Sequence, residues 1–364
     1  MLDRKSWLTL ALLLLPVALL VLGAEQLGVR LFERIAINLC ISLALVVGLQ
    51  VFMGNSGILS FAHIGFMGVG AYASAVLSIP AQMKGMALPD LYPALADLQL
   101  SPYLAIAIGG LVAAAVAALV SYPLMRLSDA AAVITSFALL VVLHTVMLHW
   151  SEVTNGPRTL FGLPKATDLH LAAGVTAGAI VIALLFKESR TGILLRASRD
   201  DEIAAAAMGV DIAKARWRAF VLSALIAGVA GGLWGHFITS FSPRAFFLKE
   251  TFVILGMLVI GGASTVSGAV FGALLVTFAF EGLRTVEASL NRAQIFAEQV
   301  VGLTEVALAL AMIGILILRP GGLFATAEIG AARPFRSTAD GVSRPIRSTP
   351  EEPIRSNPTE KASP

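Results

Sequence analysis

The stretch IAINLCISLALVVGLQVFMGNSGILSFAHIGFMGVGAYASAVLSIPAQM, residues 35–83, runs for 49 residues without a charged side chain. About 20 apolar residues cross the hydrocarbon core of a bilayer, so this stretch is too long for one helix and long enough for two. Gly54-Asn55-Ser56-Gly57, near its middle, consists of residues that favour turns and predicts the break between the two helices. The stretch therefore predicts a membrane protein that crosses the bilayer more than once.

Further charge-free runs extend this prediction along most of the chain. They lie at residues 6–24, 98–125, 130–151, 169–186, 219–243 and 251–280, and a last run at 299–318 contains Glu305 as its only charge. The 251–280 run is long for one helix, and Gly261-Gly262-Ala263-Ser264-Thr265 at its middle predicts a second break. We therefore predict an all-α polytopic membrane protein with about ten membrane segments, broken or re-entrant helices and pseudo-repeated halves.

The composition favours a membrane protein and excludes several other classes. Apolar residues make up 57% of the chain and charged residues 13%, whereas soluble domains average roughly 45–50% and about 25%. Cys40 is the single cysteine and cannot form an intrachain disulfide, and the five histidines lack the spacing of metal ligands. No basic run is interleaved with aromatic residues, so no nucleic-acid partner is expected. We predict no metal site and no catalytic residue.

The charges are concentrated in two stretches, which set the orientation and the domain limits. Residues 187–218 and 319–364 hold 24 of the 49 charged side chains. Because Lys and Arg favour the cytoplasmic side, we predict that 187–218, which contains seven of them, is a cytoplasmic loop and that both termini are cytoplasmic. The transmembrane domain is predicted at residues 1–325, and the Pro-, Ser-, Arg- and Glu-rich tail at 326–364 is predicted to be disordered.

Within the cytoplasmic loop, Asp200, Asp201 and Glu202 precede Ile203 and four alanines, and Gly209 follows. Carboxylates favour the positive N-terminal end of a helix, alanine has the highest helix propensity, and glycine often ends a helix. The pattern predicts a short helix with a smooth surface. Such a helix fits either a docking surface for another protein or a solvated connection, and the residue pattern leaves both open.

The two predicted breaks indicate how a path through the membrane could be built. A helix interrupted inside the bilayer leaves backbone N–H groups that need partners. Asn55 or Ser56 is predicted to cap a half-helix beginning near Ile58, and Ser264 one beginning near Val266. Our hypothesis is that these N-termini line the path of a substrate carboxylate. The polar residues assigned to this translocation path are Asn55, Ser56, Ser60, His63, Ser264 and Thr265. The alternative is close helix packing through small residues such as Gly65, Gly68, Gly70 and Ala71.

The cytoplasmic loop resembles the EAA-type coupling loop of ABC importer permeases, in which an acidic residue, alanines and a glycine mark the helix that meets the ATPase. Arg199-Asp200-Asp201-Glu202-Ile203-Ala204-Ala205 with Met208-Gly209-Val210 is similar to the LivM-type permease subunits of branched-chain amino acid ABC importers. Three further stretches resemble the same family, namely residues 54–63 leading into 66–72, residues 259–268 with 271–273, and Arg319-Pro320-Gly321-Gly322-Leu323-Phe324. The resemblance runs from about residue 33 to residue 325.

The resemblance implies a permease subunit that forms half of a translocation path. Coupling to a separate ATPase would use Asp200, Asp201, Glu202, Ala205 and Gly209. Two ATPase chains, a second related permease, a periplasmic substrate-binding protein and the lipid of a bacterial inner membrane are the implied partners. The sequence has no Gly-Lys dipeptide and hence no phosphate-binding loop. The chain is therefore expected to bind no cofactor directly and not to be an enzyme, with ATP used by the partner subunit.

Three alternatives stay open. Permeases for urea and short-chain amides share much of this architecture. In addition, Arg126-Leu127-Ser128 is followed by Asp129-Ala130-Ala131 instead of the family's usual glycine and aromatic pair. The resemblance therefore does not identify the transported solute. An ion-coupled secondary transporter would need acidic residues deep in the spans, whereas the acids here lie at span edges and in loops. An intramembrane enzyme is least favoured, because no Ser/His or carboxylate pair falls at a suitable spacing.

Overall fold

The computed structural model describes residues 4–127, 129–292, 302–319, 321–324 and 328. The regular structure of these residues is helical, apart from one antiparallel bridge between Leu160 and Phe241. The helices are α1 (Arg4–Leu27), α2 (Arg30–Ser56), α3 (His63–Ser78), α4 (Ala81–Ala87), α5 (Pro93–Ala96), α6 (Pro102–Leu124), α7 (Asp129–His149), α8 (Ser151–Thr154), α9 (Leu169–Glu188), α10 (Arg190–Asp200), α11 (Glu202–Ala207), α12 (Ile212–Ile238), α13 (Leu248–Gly261), α14 (Val266–Arg292) and α15 (Leu303–Leu318). A 3₁₀ turn at Pro243–Phe246 joins α12 to α13.

Seven of these helices are long and apolar enough to cross a bilayer, namely α1, α2, α6, α7, α9, α12 and α14. Three shorter apolar helices, α3, α13 and α15, have 16, 14 and 16 residues. Together they make ten apolar segments in the described part of the chain, which confirms the predicted all-α polytopic fold. A helix of 16 residues is about 24 Å long, less than the hydrocarbon thickness of about 30 Å. The shorter helices are therefore suited to broken spans.

Both predicted breaks occur at a glycine in a backbone conformation that other residues rarely adopt. Gly57 follows α2 with a φ of 74°, and Gly262 follows α13 with a φ of 116°. Residues 57–62 then lead into α3, and residues 262–265 lead into α14. The pseudo-repeat of the two halves stays a prediction.

The centre of the fold is a glycine-mediated contact between α3, α6 and α12. A methyl group added at Gly231 of α12 would lie 1.9 Å from the Met67 carbonyl oxygen of α3, and one at Gly70 would lie 2.2 Å from the Gly228 carbonyl oxygen. A methyl group at Gly109 of α6 would lie 2.6 Å from the Gly70 carbonyl oxygen. Helix backbones approach this closely only through small residues. Close packing through a small residue, the alternative considered for the glycines of α3, is therefore present at Gly70.

The predicted tail, residues 326–364, lies outside the described residues except for Glu328. The Glu328 carboxylate accepts hydrogen bonds from the first turn of α14, so the chain contacts the transmembrane domain at this residue. The domain limit at residue 325, the disorder of the tail and the cytoplasmic location of both termini stay predictions.

Candidate coupling site

The charged loop folds into two short helices, α10 and α11, joined at Asp201. The Asp201 carboxylate caps α11 by accepting a hydrogen bond from the Ala204 N–H at 2.9 Å. Glu202 is the first residue of α11, whereas Asp200 ends α10. The helix predicted from the acidic and alanine-rich pattern is therefore present, but only two of the three acids belong to its start.

The end of α11 depends on Gly209. This residue has a φ of 80°, and its N–H donates to the Ala206 carbonyl at 2.9 Å while the Val210 N–H donates to the Ala205 carbonyl at 3.1 Å. These two bonds satisfy carbonyl groups that the last turn leaves without helical partners. Because an L side chain at this φ costs roughly 1–2 kcal/mol, glycine is the residue that the turn favours. The predicted stop at Gly209 is confirmed.

The inner face of α11 is held against α12 by an ion pair. The two terminal nitrogens of Arg216 donate to the two carboxylate oxygens of Glu202, at 3.3 and 3.1 Å. Arg216 also donates to the Leu127 carbonyl at 3.2 Å, and its side chain is only 5% exposed. Ala205 faces the same side and is buried. The helix α11 is therefore fixed to α12 along one face.

The outer face of α11 is largely exposed in the described chain and presents apolar groups. The side chains of Ile203 and Met208 are each 84% exposed, and the neighbouring Ala206 and Ala207 are exposed as well. Large apolar side chains held out from a fixed helix form a surface that a partner protein can cover.

Two arginines of α10 connect the loop to the first helix break. Arg199 donates to the Gly54 carbonyl at 3.0 Å, and Arg196 donates to the Asn55 side-chain oxygen at 3.2 Å and to the Lys187 carbonyl at 2.7 Å. The Arg199 side chain also lies over Gly57, where an added methyl group would be 2.6 Å from its Cγ. Cations are favoured at this position because the C-terminal end of α2 carries partial negative charge. Burial lowers the pKa of Arg196 below its ordinary value, but the guanidinium stays charged.

The two breaks, which are about 200 residues apart in sequence, touch each other in space. A methyl group at Gly54 would lie 2.3 Å from the Ala263 carbonyl oxygen. The closing motif adds to this contact, because the Leu323 N–H donates to the Ile260 carbonyl at 3.0 Å and the Phe324 N–H donates to the Gly261 carbonyl at 2.9 Å. Outside the loop, the family resemblance is carried by three stretches, which begin at residues 54, 259 and 319. These stretches meet in space, and we call this meeting point the junction. Helix α10 is bonded to the junction through Arg196 and Arg199.

The start of α14 differs from the prediction that Ser264 would cap it. The capping hydroxyl is that of Thr265, which accepts from the Gly268 N–H at 2.9 Å and donates to the Phe324 carbonyl at 2.7 Å. Thr265 precedes the first helical residue directly, which is the position from which a side chain reaches the third N–H of the helix. Ser264 contributes its backbone carbonyl, which accepts from Lys187 at 3.5 Å.

The same helix end is occupied by an anionic group, but the group belongs to this chain. The Glu328 carboxylate accepts from the N–H groups of Val266 and Ser267 at 2.8 and 2.9 Å, and it pairs with Lys187. Burial alone would raise the pKa of Glu328, but the Lys187 ammonium and the hydrogen bonds from Ser267 outweigh burial and hold the pKa below its ordinary 4.5. In the structure, an internal carboxylate therefore lies where we predicted that of a substrate.

The start of α3 also differs from the prediction. Asn55 and Ser56 do not begin a half-helix near Ile58, because their side chains donate to carbonyls one turn earlier in α2, at 2.9 and 2.8 Å. Ser56 also accepts from the Ile58 N–H at 3.2 Å, but α3 begins only at His63, whose Nδ1 is 3.0 Å from the Ser60 hydroxyl. The predicted caps at Asn55 and Ser56 are wrong because both residues complete the C-terminal turn of α2.

Most residues assigned to the translocation path are enclosed by the chain itself. Asn55, Ser56, Ser60, His63 and Thr265 are at most 4% exposed. Asn55 accepts a hydrogen bond from Arg196 of α10, the Ser264 carbonyl accepts one from Lys187, and Thr265 donates to the Phe324 carbonyl. Their assignment to the path stays a prediction.

Sequence reasoning missed the residues that join these parts, which are Lys187, Arg196, Arg199, Arg216 and Glu328. Arg196 and Arg199 are three residues apart on the short amphipathic helix α10, so they lie on one face of it. This spacing is visible in the sequence and indicates that the two side chains can contact the same neighbour. Glu328 lies in a polar tail and nothing in its sequence context distinguishes it from its neighbours.

The sequence matches proteins of one transport family. Residues 31–319 match the family model of the branched-chain amino acid transport system permease component. The chain is 27% identical over 278 residues to the high-affinity branched-chain amino acid transport system permease protein LivM of Escherichia coli (strain K12), covering 67% of this chain and 61% of that protein. It is 26% identical over 284 residues to the Salmonella typhimurium LivM protein, covering 69% of this chain and 63% of that protein.

A shorter match joins the chain to an archaeal permease. The probable branched-chain amino acid transport permease protein LivH of Methanocaldococcus jannaschii is 35% identical over 97 residues, which is 27% of this chain and 30% of that protein. No solved structure matches the chain significantly. The chain thus spans about 61–63% of the length of the two LivM proteins. Since the family match covers well over half of the sequence and includes the charged loop and both breaks, the chain belongs to the family of branched-chain amino acid transport system permease components.

Proposed function

We propose that this chain is an inner-membrane permease subunit of a bacterial ATP-driven ABC importer for branched-chain or related amino acids. It forms half of the translocation path and couples to a separate ATPase through α10 and α11. The observation that carries the proposal is the construction of α11, whose inner face is clamped to α12 by Glu202 and Arg216 and whose outer face exposes Ile203 and Met208.

The coupling acts through α10. An ATPase that moves α11 also moves α10, because the two helices share Asp201 as their junction. Arg196 and Arg199 then transmit that displacement to the end of α2 at Gly54 and Asn55. The first break touches the second, so one movement of the loop reaches both interrupted segments.

The partners follow from this role. Two ATPase chains bind and hydrolyse ATP, a second related permease completes the path, and a periplasmic binding protein delivers the solute to the side opposite the loop. The bilayer lipid surrounds the outer helices. This chain binds no cofactor directly and performs no chemistry itself. The names of the LivM and LivH relatives support branched-chain amino acids as the solute class.

The test is co-expression with an ATPase, a second permease and a binding protein of the same transport system, followed by uptake in proteoliposomes. We expect the chain to copurify with the ATPase and uptake of radiolabelled leucine to require ATP inside the vesicles. Uptake that persists without ATP and follows a proton or sodium gradient would establish the ion-coupled alternative instead. Uptake of urea or acetamide without uptake of leucine would establish the amide alternative.

The path residues are tested separately by cysteine accessibility. Cys40 is buried and is first replaced by serine, so that each new cysteine is the only one in the chain. Cysteines at Asn55 and Ser264 should react with a water-soluble thiol reagent in at least one state of the ATP cycle. Protection in every state would remove these residues from the path and leave the coupling role intact.

A further inference from the structure

A cavity of about 240 Å³ lies between α2, α3, α13, α14 and the 3₁₀ turn, away from the coupling loop. On α2 it is lined by residues 38–45, which lie ~13–24 Å along the helix from the Gly54 end that Arg199 contacts. On α14 it is lined by residues 277–284, which lie ~16–27 Å from the Val266 end. The cavity therefore lies beside the middle turns of α2 and α14.

The mouth of the cavity carries balanced charge. Lys249 and Arg284 contribute two positive groups, and Glu250 and Glu281 contribute two negative groups. Lys249 and Glu250 are neighbours close enough to interact. Glu281 and Arg284 form no ion pair with another described residue, although they are one turn apart on α14. A ligand with one positive and one negative group would match this mouth.

The inner part of the cavity contains an unsatisfied hydroxyl. Thr277 is 5% exposed, and its Oγ1 has no hydrogen-bond partner among the described residues. A buried hydroxyl without a partner is costly, and native structures retain such groups where a ligand or water completes them. Thr277 belongs to a helix, where its hydroxyl could have bonded to a carbonyl one turn earlier, so its isolation marks the cavity as a polar site.

The rest of the lining is mainly apolar, with Asn38 and Ser42 as its polar members and Trp234, Phe246 and Phe280 as its aromatic ones. Leu45, Ile254 and Met257 are buried and line the cavity, together with Ile41, Ile64, Met67 and Phe246. Pockets for drug-sized ligands measure about 300–1,000 Å³, so a cavity of about 240 Å³ suits a smaller molecule. The wall fits an aliphatic side chain and offers it no charge.

We infer that this cavity is a transit site for a zwitterionic amino acid with a branched aliphatic side chain, a role that rests on the proposed function. Arg284 binds the carboxylate, Glu281 and Glu250 bind the ammonium group, and the aliphatic side chain lies among Leu45, Ile254 and Met257. Thr277 donates to the ligand carboxylate or accepts from its ammonium group. The site gives the permease a selectivity of its own, after the solute has left the binding protein.

The inference is tested first by direct binding to the full-length chain in lipid nanodiscs. We expect radiolabelled L-leucine to bind and to be displaced by L-valine and L-isoleucine. Leucinol lacks the carboxylate, and 4-methylpentanoate lacks the ammonium group, so both should compete at least about tenfold more weakly. Arg284→Gln and Glu281→Gln should each weaken leucine binding at least about tenfold, and Thr277→Val should weaken it about threefold to tenfold.

Arg292→Gln is the matched control, because Arg292 lies eight residues further along α14 and does not line the cavity. It should bind leucine as the unaltered chain does. Thermal unfolding of every variant by light scattering shows which of them are folded, and Arg284→Lys should recover part of the lost affinity. Leucine binding that Arg284→Gln and Glu281→Gln leave unchanged would overturn the inference. So would a tightly held phospholipid, detected by native mass spectrometry, that leucine does not displace.

The assembled transporter separates failure of the transit site from failure of the proposed function. If ATP-driven leucine uptake is normal and Arg284→Gln does not alter its rate or its half-saturating concentration, the transit site is wrong and the importer role stands. If the chain binds leucine through Arg284 but neither copurifies with an ATPase nor supports ATP-dependent uptake, the proposed function is wrong and the site stands.

Discussion

Replacing Glu202 with glutamine removes the charge that holds α11 against α12 while preserving the size of the side chain. Glu202 is bound by both terminal nitrogens of Arg216, at 3.3 and 3.1 Å. Glutamine offers one acceptor oxygen, so one of the two bonds and the ionic attraction are lost. The helix has only six residues and is too short to be stable without this contact.

The magnitude follows from the exposure of the two partners. Breaking a fully buried ion pair costs about 3–5 kcal/mol, and an exposed pair contributes about 0–1 kcal/mol. The Arg216 side chain is 5% exposed but that of Glu202 is 43% exposed, and Arg216 keeps its bond to the Leu127 carbonyl. We therefore expect Glu202→Gln to destabilise the folded form of α11 by about 2 kcal/mol, a factor of about 30 in its opening equilibrium.

Hydrogen exchange followed by mass spectrometry measures this opening directly. Backbone amides of residues 205–210 should exchange about 30-fold faster in Glu202→Gln, while the amides of α12 beyond its first turns stay protected. Glu188→Gln is the control, because Glu188 is exposed in the same loop and makes no ion pair with another described residue. Unchanged exchange in α11 would refute the assignment of the ion pair as its anchor. A double-mutant cycle with Arg216→Gln should return most of the 2 kcal/mol as coupling energy.

Three further changes test other parts of the structure. Gly209→Val places a β-branched residue at a φ of 80°, which costs roughly 1–2 kcal/mol or more. The variant should no longer copurify with the ATPase, whereas its membrane insertion, measured by fractionation, should stay normal. Glu328→Gln should lower the unfolding temperature at neutral pH. The folded pKa of Glu328 is below 4.5, so the stabilisation by its carboxylate is present above pH 4.5 and is lost as the pH falls through the lowered pKa. The unfolding temperature of the variant should therefore fall less steeply with decreasing pH than that of the unaltered chain. Gly231→Ala puts a methyl group 1.9 Å from the Met67 carbonyl oxygen and should severely reduce the yield of folded protein. Gly174→Ala on α9 is the control, because its methyl group meets open space and should leave the yield unchanged. Equal yields of the two variants would contradict the tight α3–α12 contact.

The sequence was sufficient for the spans and the breaks because both depend on local physics. Long charge-free runs require membrane helices, and clustered glycines at 54–57 and 261–262 allow backbone conformations that interrupt them. The caps were harder to predict, because several hydroxyl and amide side chains stand near each break. At the second break, Ser264 and Thr265 are chemically equivalent in the sequence, and only the position of the first helical residue decides that Thr265 is the cap.

The junction could not be derived from the sequence because its parts are distant along the chain. Nothing near Glu328 indicates that it binds a helix N-terminus 62 residues earlier, or that Lys187, 141 residues earlier, pairs with it. The Glu202–Arg216 pair, 14 residues apart, crosses from one helix to another and has no helical periodicity to reveal it. Long-range polar contacts of this kind require the packed fold, whereas the apolar pattern requires only the bilayer.

The helix α2 connects the two regions in which function has been proposed. Its Gly54 end accepts a hydrogen bond from Arg199 and touches the second break, and its residues 38–45 line the cavity about 13–24 Å away. The helix is buried along most of its length and has no proline inside it, so a displacement at one end is carried to the other. A pull on α10 would therefore move Asn38 and Leu45 through α2, and it would reach the start of α14 separately, through the second break and Glu328. The charges of the cavity mouth at Glu281 and Arg284 lie on α14, while part of its aliphatic wall lies on α2. Movement of one helix against the other would then separate the groups that hold the two ends of a bound amino acid. In this way the proposed coupling loop would promote release of the solute without any contact between the ATPase and the cavity.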